Sequence, residues 1–388
     1  MPTPQKRSIL TLLLAMVLLG VFPLDVILPS FPALSNHFAT PSSDIALSIS
    51  LFALGVAISQ FFLGPLSDRI GRKGLLVLGL AISILGAVGC ANATQFIPFM
   101  IFRILQAIGC GCFVLLNALV QDLFQDKERE RTRILVTSAG GVFISTSPLV
   151  GALLQHLAGW QASFYLFALI ALLVLIQAVR ILPPTRGANR QTKGLIGAYR
   201  ELLWHPAFMG FSLIAAIAFT CHFAFIALSP LIFLEHMQLT QLQFGLTLLS
   251  YGVAYVAGGL IASRMSHSVS HRLQLNTGLV LIGLAGVTLL ALSALTERSV
   301  ATVLLPMMIC TAGTTIARPA ATSRAMELVP ASAGASASVL NTLVLAAGGV
   351  GSAAISLVAG DFEWVLGMVF LVLCLAGLIT VTRLYAKR

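Results

Sequence analysis

The chain has 388 residues, of which 58% are hydrophobic and only 9% charged, and its mean hydropathy is +0.97. Soluble domains carry about 25% charged residues, so this composition excludes a soluble enzyme and points to a protein of the bilayer. A net charge of +10 could suggest nucleic acid, but 23 lysines and arginines in so apolar a chain read more simply as loop charges that set membrane orientation, and a nucleic-acid partner is excluded.

A bilayer-spanning helix needs about 20 apolar residues. Runs of that order, separated by polar, proline or charged clusters, predict twelve helices over residues 8–28, 45–65, 74–92, 96–120, 134–157, 162–182, 207–234, 240–263, 273–295, 300–323, 335–359 and 363–384. The first run starts at Lys6 and Arg7 as a signal peptide would, but it is long and has no small-x-small cleavage pattern before Pro29, so it reads as a retained helix. Cys90, Cys110, Cys112, Cys221, Cys310 and Cys374 lie in apolar stretches without a CxxC pair and read as packing residues, with no metal site.

Starting with the N-terminus inside, nearly all lysines and arginines fall in alternate connections. Only Arg298 falls in an outer one, and Arg103 and Arg318 lie inside helices. That asymmetry predicts both termini on the cytoplasmic side. The longest connection, 183–204, begins Pro183-Pro184-Thr185-Arg186-Gly187 and divides a first half, 1–182, from a second, 205–388. Two short echoes join the halves: Gly64 to Arg69 with Gly259 to Arg264, and Ala139-Gly140-Gly141-Val142 with Ala347-Gly348-Gly349-Val350. They favour an internal duplication, a common build of secondary transporters.

Residues with chemistry follow in chain order. Helix 1 holds Asp25, followed by Val26-Ile27-Leu28-Pro29-Ser30-Phe31-Pro32. An intramembrane carboxylate is costly and marks function by default; the competing reading is a hydrated carboxylate at the outer interface. The connection after helix 2 reads Gly64-Pro65-Leu66-Ser67-Asp68-Arg69-Ile70-Gly71-Arg72-Lys73. Gly71 permits a tight turn, Asp68 can accept from a helix N-terminus or pair with Arg69 or Arg72, and the remaining cations can meet lipid phosphates. In helix 4, Arg103 sits about 10 Å from the outer end, in the same half of the membrane as Asp25, so the two are expected to interact as opposite charges. Gln106 follows one turn later.

Helix 5 has Gly140-Gly141 and then Ser147-Pro148-Leu149-Val150-Gly151-Ala152, small residues for close packing and a proline to bend the helix. Trp160 reads as an interfacial anchor. His222, flanked by Phe223 and Phe225, lies mid-way along helix 7, and Tyr251 and Tyr255 share one face of helix 8. With Gln60, Gln106 and Asn117 they are candidates to line an aromatic, multispecific cavity; packing between helices is the competing reading for the tyrosines. Arg318, beside Pro319 in helix 10, either snorkels to the cytoplasmic surface or faces the cavity and attracts an anionic group on the cargo.

These motifs resemble the major facilitator superfamily. The connection after helix 2 is similar to its signature G-x-L-A/S-D-R-x-G-R-K/R at every defining position. Asp25, Pro29 and Pro32 resemble the D-x-x-x-P-x-x-P ending of helix 1 in twelve-helix proton-coupled drug antiporters, particularly the Bcr/CflA-like group. Arg103, Gln106 and Gly109 resemble R-x-x-Q-G-x-G with Ala107 for glycine, and Pro148 and Gly151 resemble G-P-x-x-G-G with Ser147 and Ala152 in place of its outer glycines. The resemblance implies an all-α membrane protein of two pseudo-symmetric six-helix bundles. It implies proton coupling at Asp25 and Arg103, a conformational latch at Gly64, Asp68, Arg69, Gly71, Arg72 and Lys73, and an antiporter helix at Pro148 and Gly151. The expected activity is proton-driven efflux of small amphipathic compounds from a bacterial inner membrane by a monomer, without a cofactor, the partners being protons, the cargo and the lipid bilayer. The alternative is a dedicated exporter of a siderophore or other endogenous, anionic metabolite.

Overall fold

The structure, a computed structural model, describes residues 4–183, 195–329, 333–358 and 361–386. Twelve helices among them are long and apolar enough to cross a membrane. Numbered as spans 1 to 12, they are Lys6–Phe38, Ser42–Gly64, Arg72–Asn92, Phe96–Leu123, Arg131–Ala158, Gln161–Ile181, Pro206–His236, Gln241–Ser266, His271–Leu295, Val300–Leu328, Ala335–Ser356 and Phe362–Ala386. Their order matches the twelve predicted runs. The described residues contain no strand, and the chain is an all-α membrane protein.

Three spans are interrupted. Span 1 is a helix over Pro4–Asp25, a tight turn over Leu28–Ser30 and a second helix over Phe31–Phe38, whereas the sequence predicts one helix ending at 28. Pro29 and Pro32 have no N–H to offer the carbonyls four residues earlier, those of Asp25 and Leu28, so the regular ladder stops there. Span 4 tightens at Gly111–Val114 between helices Phe96–Cys110 and Leu115–Leu123. Span 7 passes from an α-helix, Pro206–Pro230, into a wider turn, Leu231–His236.

Span 3 packs on spans 4 and 6, and span 1 on spans 5 and 6; span 9 packs on spans 10 and 12, and span 7 on spans 10 and 11. Two seams join the first six spans to the last six, span 2 against span 11 and span 5 against span 8. Small residues make both seams close. At Gly64 a Cβ would lie 1.8 Å from the Ser338 hydroxyl oxygen, and at Gly252 it would lie 2.3 Å from the Ser145 side chain. Ser50 and Ser352 share a hydrogen bond of 2.8 Å, and Thr342 donates to the Ala57 carbonyl at 3.2 Å.

One of the two sequence echoes has a structural counterpart. Gly140 faces Val17 of span 1 and Gly348 faces Phe219 of span 7, each the first helix of its own half; Gly141 faces Val256 of span 8 and Gly349 faces Leu54 of span 2, each the second helix of the other half. The other echo does not: Gly64 is pressed against span 11, whereas a Cβ on Gly259 would meet nothing within 4 Å.

The connection between spans 6 and 7 contains a helix, Leu195–Leu203, which the sequence reading does not anticipate; residues 184–194 lie outside the described residues. The Tyr199 hydroxyl donates to the Phe61 carbonyl of span 2 at 2.7 Å, and the two rings pack 4.6 Å apart. The same short helix also touches spans 7 and 11.

Candidate functional site

Asp25 is the last residue of the first helix of span 1, and it is only 8% exposed. The outer-interface reading of a hydrated carboxylate therefore gives way to a buried one. Among the described residues it forms no hydrogen bond or ion pair. Gly151 explains how the break beside Asp25 is covered: a Cβ there would lie 2.0 Å from the Val26 carbonyl oxygen, so only glycine lets span 5 come this close. The helix of span 5 runs unbroken through Pro148.

Arg103, 1% exposed, does not form the expected pair with Asp25. Its guanidinium donates to Gln106 Oε1 at 2.8 Å and to the Pro23 carbonyl at 3.2 Å, lies 4.3 Å from the centre of the Phe52 ring and faces Phe164 at 5.7 Å. The reason is geometric. The last carbonyls of a helix have no partner within it and carry its partial negative charge, so the end of the helix supplies an acceptor for the guanidinium two residues before the carboxylate. Arg103 Nε and Ser163 Oγ are buried without a partner among the described residues. Arg103 and Ser163 line a cavity of about 10 Å³ with Pro23 and Phe164, on the scale of a single water.

A second polar group lies across the seam. The Tyr251 hydroxyl and His222 Nδ1 are in hydrogen-bond contact at 2.5 Å, with their rings stacked 5.6 Å apart. The Tyr255 ring is also 5.6 Å from that of His222. Thr311 Oγ1 of span 10 is buried without a partner among the described residues, and Tyr251 is within electrostatic reach of Asp25. The guanidinium of Arg318 lies 4.8 Å from the centre of the Phe219 ring, with His222 in its field. Phe219 is thirteen residues, about 20 Å of helix, beyond Pro206. The snorkelling reading of Arg318 is thereby set aside: its charge lies deep in the helix layer.

Other expected residues fall elsewhere. Gln106 serves Arg103, as above, and Gln60 Oε1 is buried without a partner among the described residues. Asn117 is exposed and outside both polar groups. Trp160 is not an interfacial anchor but a buried ring packed with His37, Phe38, Phe99 and Phe164.

In the connection after span 2, Gly71 adopts φ 96° and ψ 153° between a helix ending at Ile70 and one starting at Arg72, a conformation that favours glycine. The side chains of Asp68 and Arg69 lie outside the described residues. Arg72 is ion-paired with Asp122 and donates to the Ala118 carbonyl, both near the end of span 4. Lys73 donates to the Val179 and Leu182 carbonyls at 2.7 and 2.6 Å, capping span 6. These two cations are thus held by protein groups.

Sequence reasoning missed Phe52 and Phe164, which enclose Arg103, because phenylalanines are common in apolar runs. It also missed Glu363, 2% exposed with both carboxylate oxygens unpartnered among the described residues. Glu363 is the first residue of the predicted helix 363–384, and an acid at that position reads as a boundary.

The chain matches the Major Facilitator Superfamily model over residues 11–353. Multidrug resistance protein MdtL of Klebsiella pneumoniae (strain 342) is 27% identical over 331 residues, which is 84% of this chain and 82% of that protein. The bicyclomycin resistance protein homolog of Haemophilus influenzae is 25% identical over 358 residues, 89% of each chain, and the multidrug transporter MdfA of Yersinia pestis bv. Antiqua (strain Angola) is 28% identical over 275 residues, 68% of this chain and 67% of MdfA. Among solved structures, a bacterial homologue of the human lysosomal transporter Spinster, inward-facing and occupied, superposes with a TM-score of 0.73 at 16% identity, covering 100% of this chain and 96% of that one. A POT family transporter in complex with a thioalcohol-conjugated peptide gives 0.77 at 15% identity, covering 97% and 96%. Both likenesses concern the fold. With the family model matching most of the chain and twelve spans in place, the protein belongs to the Major Facilitator Superfamily and is a multi-pass membrane transporter of small molecules, not an enzyme.

Proposed function

We propose that this chain is a proton-driven antiporter that exports small amphipathic compounds from the cytoplasm across a bacterial inner membrane, with both termini cytoplasmic. The observation that carries the reading is Asp25: a buried carboxylate without an ionic partner among the described residues, placed where a helix ends. Such a group changes charge when its surroundings open to water on one side or the other. The relatives named for multidrug resistance support export as the direction.

The two halves, 1–182 and 205–388, rock about the seams of spans 2 and 11 and of spans 5 and 8, and the cargo binds between Asp25 and the His222, Tyr251, Tyr255 and Arg318 group. Asp25 takes up a proton from outside as cargo leaves, and gives it up inside before new cargo binds. Arg103 is a positioning residue that holds the end of the helix by the Pro23 carbonyl. The connection from Gly64 to Lys73 acts as a latch, with Gly64 against Ser338. An inward-negative potential of 100 mV adds about 2.3 kcal/mol for each charge moved. Arg318 favours a second reading within the same mechanism, a dedicated exporter of an endogenous, anionic metabolite such as a siderophore.

The test is transport by purified protein in proteoliposomes with an imposed pH gradient, comparing wild type with Asp25→Asn. The variant keeps size and polarity and removes the titratable group, so gradient-driven transport is expected to vanish while inserted, folded protein remains. Full gradient-driven transport by Asp25→Asn would refute the assignment.

A further inference from the structure

Arg318 carries a charge that its surroundings do not balance. Among the described residues it forms neither an ion pair nor a hydrogen bond, and it lies half-buried against the face of Phe219. The carboxylates of the second half are placed elsewhere: Glu327 is bound by Arg324, Asp361 by Arg298, Glu363 lies in the first turn of span 12, Glu235 in the turn Leu231–His236 and Glu297 in the connection between spans 9 and 10. A ring face offsets only part of the desolvation of a guanidinium at this depth.

The groups around it share one polarity. Thr311, Thr314 or Thr315, and Arg318 recur at helical spacing on span 10. Thr311 Oγ1 is buried without a partner among the described residues, Thr314 donates to the Ala218 carbonyl, and Thr315 donates to the Thr311 carbonyl. The hydroxyl of Tyr255, half-buried beside the His222 ring, has no partner among the described residues. Three donors without an acceptor among the described residues, the Arg318 guanidinium, the Tyr255 hydroxyl and the Thr311 hydroxyl, therefore lie around His222 and its partner Tyr251. Phe219 and Phe223, stacked at 5.3 Å, form an apolar wall next to the donors. Donors without acceptors beside an aromatic wall are complementary to an anion on an apolar body.

We propose that Arg318 and Tyr255 form an anion-binding subsite that takes a carboxylate or similar acidic group on the cargo, with Phe219 and Phe223 receiving the adjoining apolar body. The proposal rests on the export reading for its biological sense, and it narrows the cargo to acidic amphipathic compounds. Arg318 is a specificity-determining residue, whereas proton coupling stays with Asp25.

The test is equilibrium binding to purified full-length protein in detergent, without a proton gradient, so that it is independent of the Asp25→Asn transport assay. Dansylglycine, a carboxylate, is compared with dansylglycinamide, the neutral amide on the same fluorophore. Wild type is expected to bind the acid at least about tenfold more tightly than the amide, the weight of a charge-assisted hydrogen bond. Arg318→Gln is expected to erase that preference with amide affinity changed less than about twofold, a change too small to reflect a lost hydrogen bond. Arg318→Lys, which keeps the charge, should retain part of the preference, and Tyr255→Phe should reduce it; these two variants carry the test if Arg318→Gln does not fold. Equal affinity of wild type for acid and amide, no binding of either, a preference unchanged by the variants, or parallel loss of both probes in Arg318→Gln would each overturn the proposal.

Discussion

Arg103 donates to the Pro23 carbonyl at 3.2 Å and to Gln106 Oε1 at 2.8 Å, so one planar guanidinium ties span 4 to the end of the helix that carries Asp25. A lysine ammonium cannot reproduce that fork while its carrier lies over the Phe52 ring. Arg103→Lys is expected to fold and insert but to lose at least about tenfold in transport rate, the value of one charge-assisted bond. Proteoliposome flux is the measurement, and an unimpaired lysine variant would reduce Arg103 to a point charge.

Gly64 and Ser338 set how closely spans 2 and 11 approach. A Cβ at position 64 would lie 1.8 Å from the serine oxygen but 3.1 Å from its Cβ, so the hydroxyl is the obstacle. Gly64→Ala is expected to push this seam apart, and Ser338→Ala added to it should restore the seam in large part. Accessibility of cysteines placed at the two ends of span 11 reads the change. Identical labelling in all three proteins would show that the seam does not gate access.

Arg72 and Asp122 fix the connection after span 2 to the end of span 4. Both side chains are partly exposed, so a double-mutant cycle with Arg72→Gln and Asp122→Asn is expected to give a coupling of about 0.5–1 kcal/mol in unfolding free energy. Transport should fall more than stability does, because the latch acts on the balance between states. Unchanged flux in both single variants would remove Arg72 from the latch.

His222 and Tyr251 form a buried pair, and the two members have unequal mutational signatures. Tyr251→Phe leaves His222 Nδ1 buried without its partner and is expected to destabilise the protein by about 1–3 kcal/mol. Replacing both by phenylalanine removes the orphan as well as the bond and should cost less than the single change. Thermal unfolding in detergent distinguishes the two, and a double variant destabilised as much as Tyr251→Phe or more would count against the pairing.

The twelve spans were legible because each apolar run is long and nearly free of charge, and Asp25, Arg103 and Arg318 stood out as the exceptions. Depth could be counted along a helix at 1.5 Å per residue, but counting gives no direction around it. Asp25 and Arg103 therefore looked like a pair, although the guanidinium turns to a backbone carbonyl that no side-chain pattern reveals. Arg318 was ambiguous for the same reason, until Phe219 located its charge. The helix Leu195–Leu203 left no clear mark in the pattern, because nine residues give too few turns to establish a period.

Span 7 is enclosed by protein along almost its whole length, yet its composition is as apolar as that of spans facing lipid. In the finished molecule it has little contact with hydrocarbon. Its apolarity serves the interval during synthesis in which it has entered the membrane and spans 10, 11 and 12, which later cover it, have not been made. In that interval it must partition into the bilayer as an independent segment. Polar substitutions on its buried faces therefore have a cost that is absent from the folded contacts: they act on insertion, and they would lower the yield of correctly threaded protein even where the mature packing accommodates them.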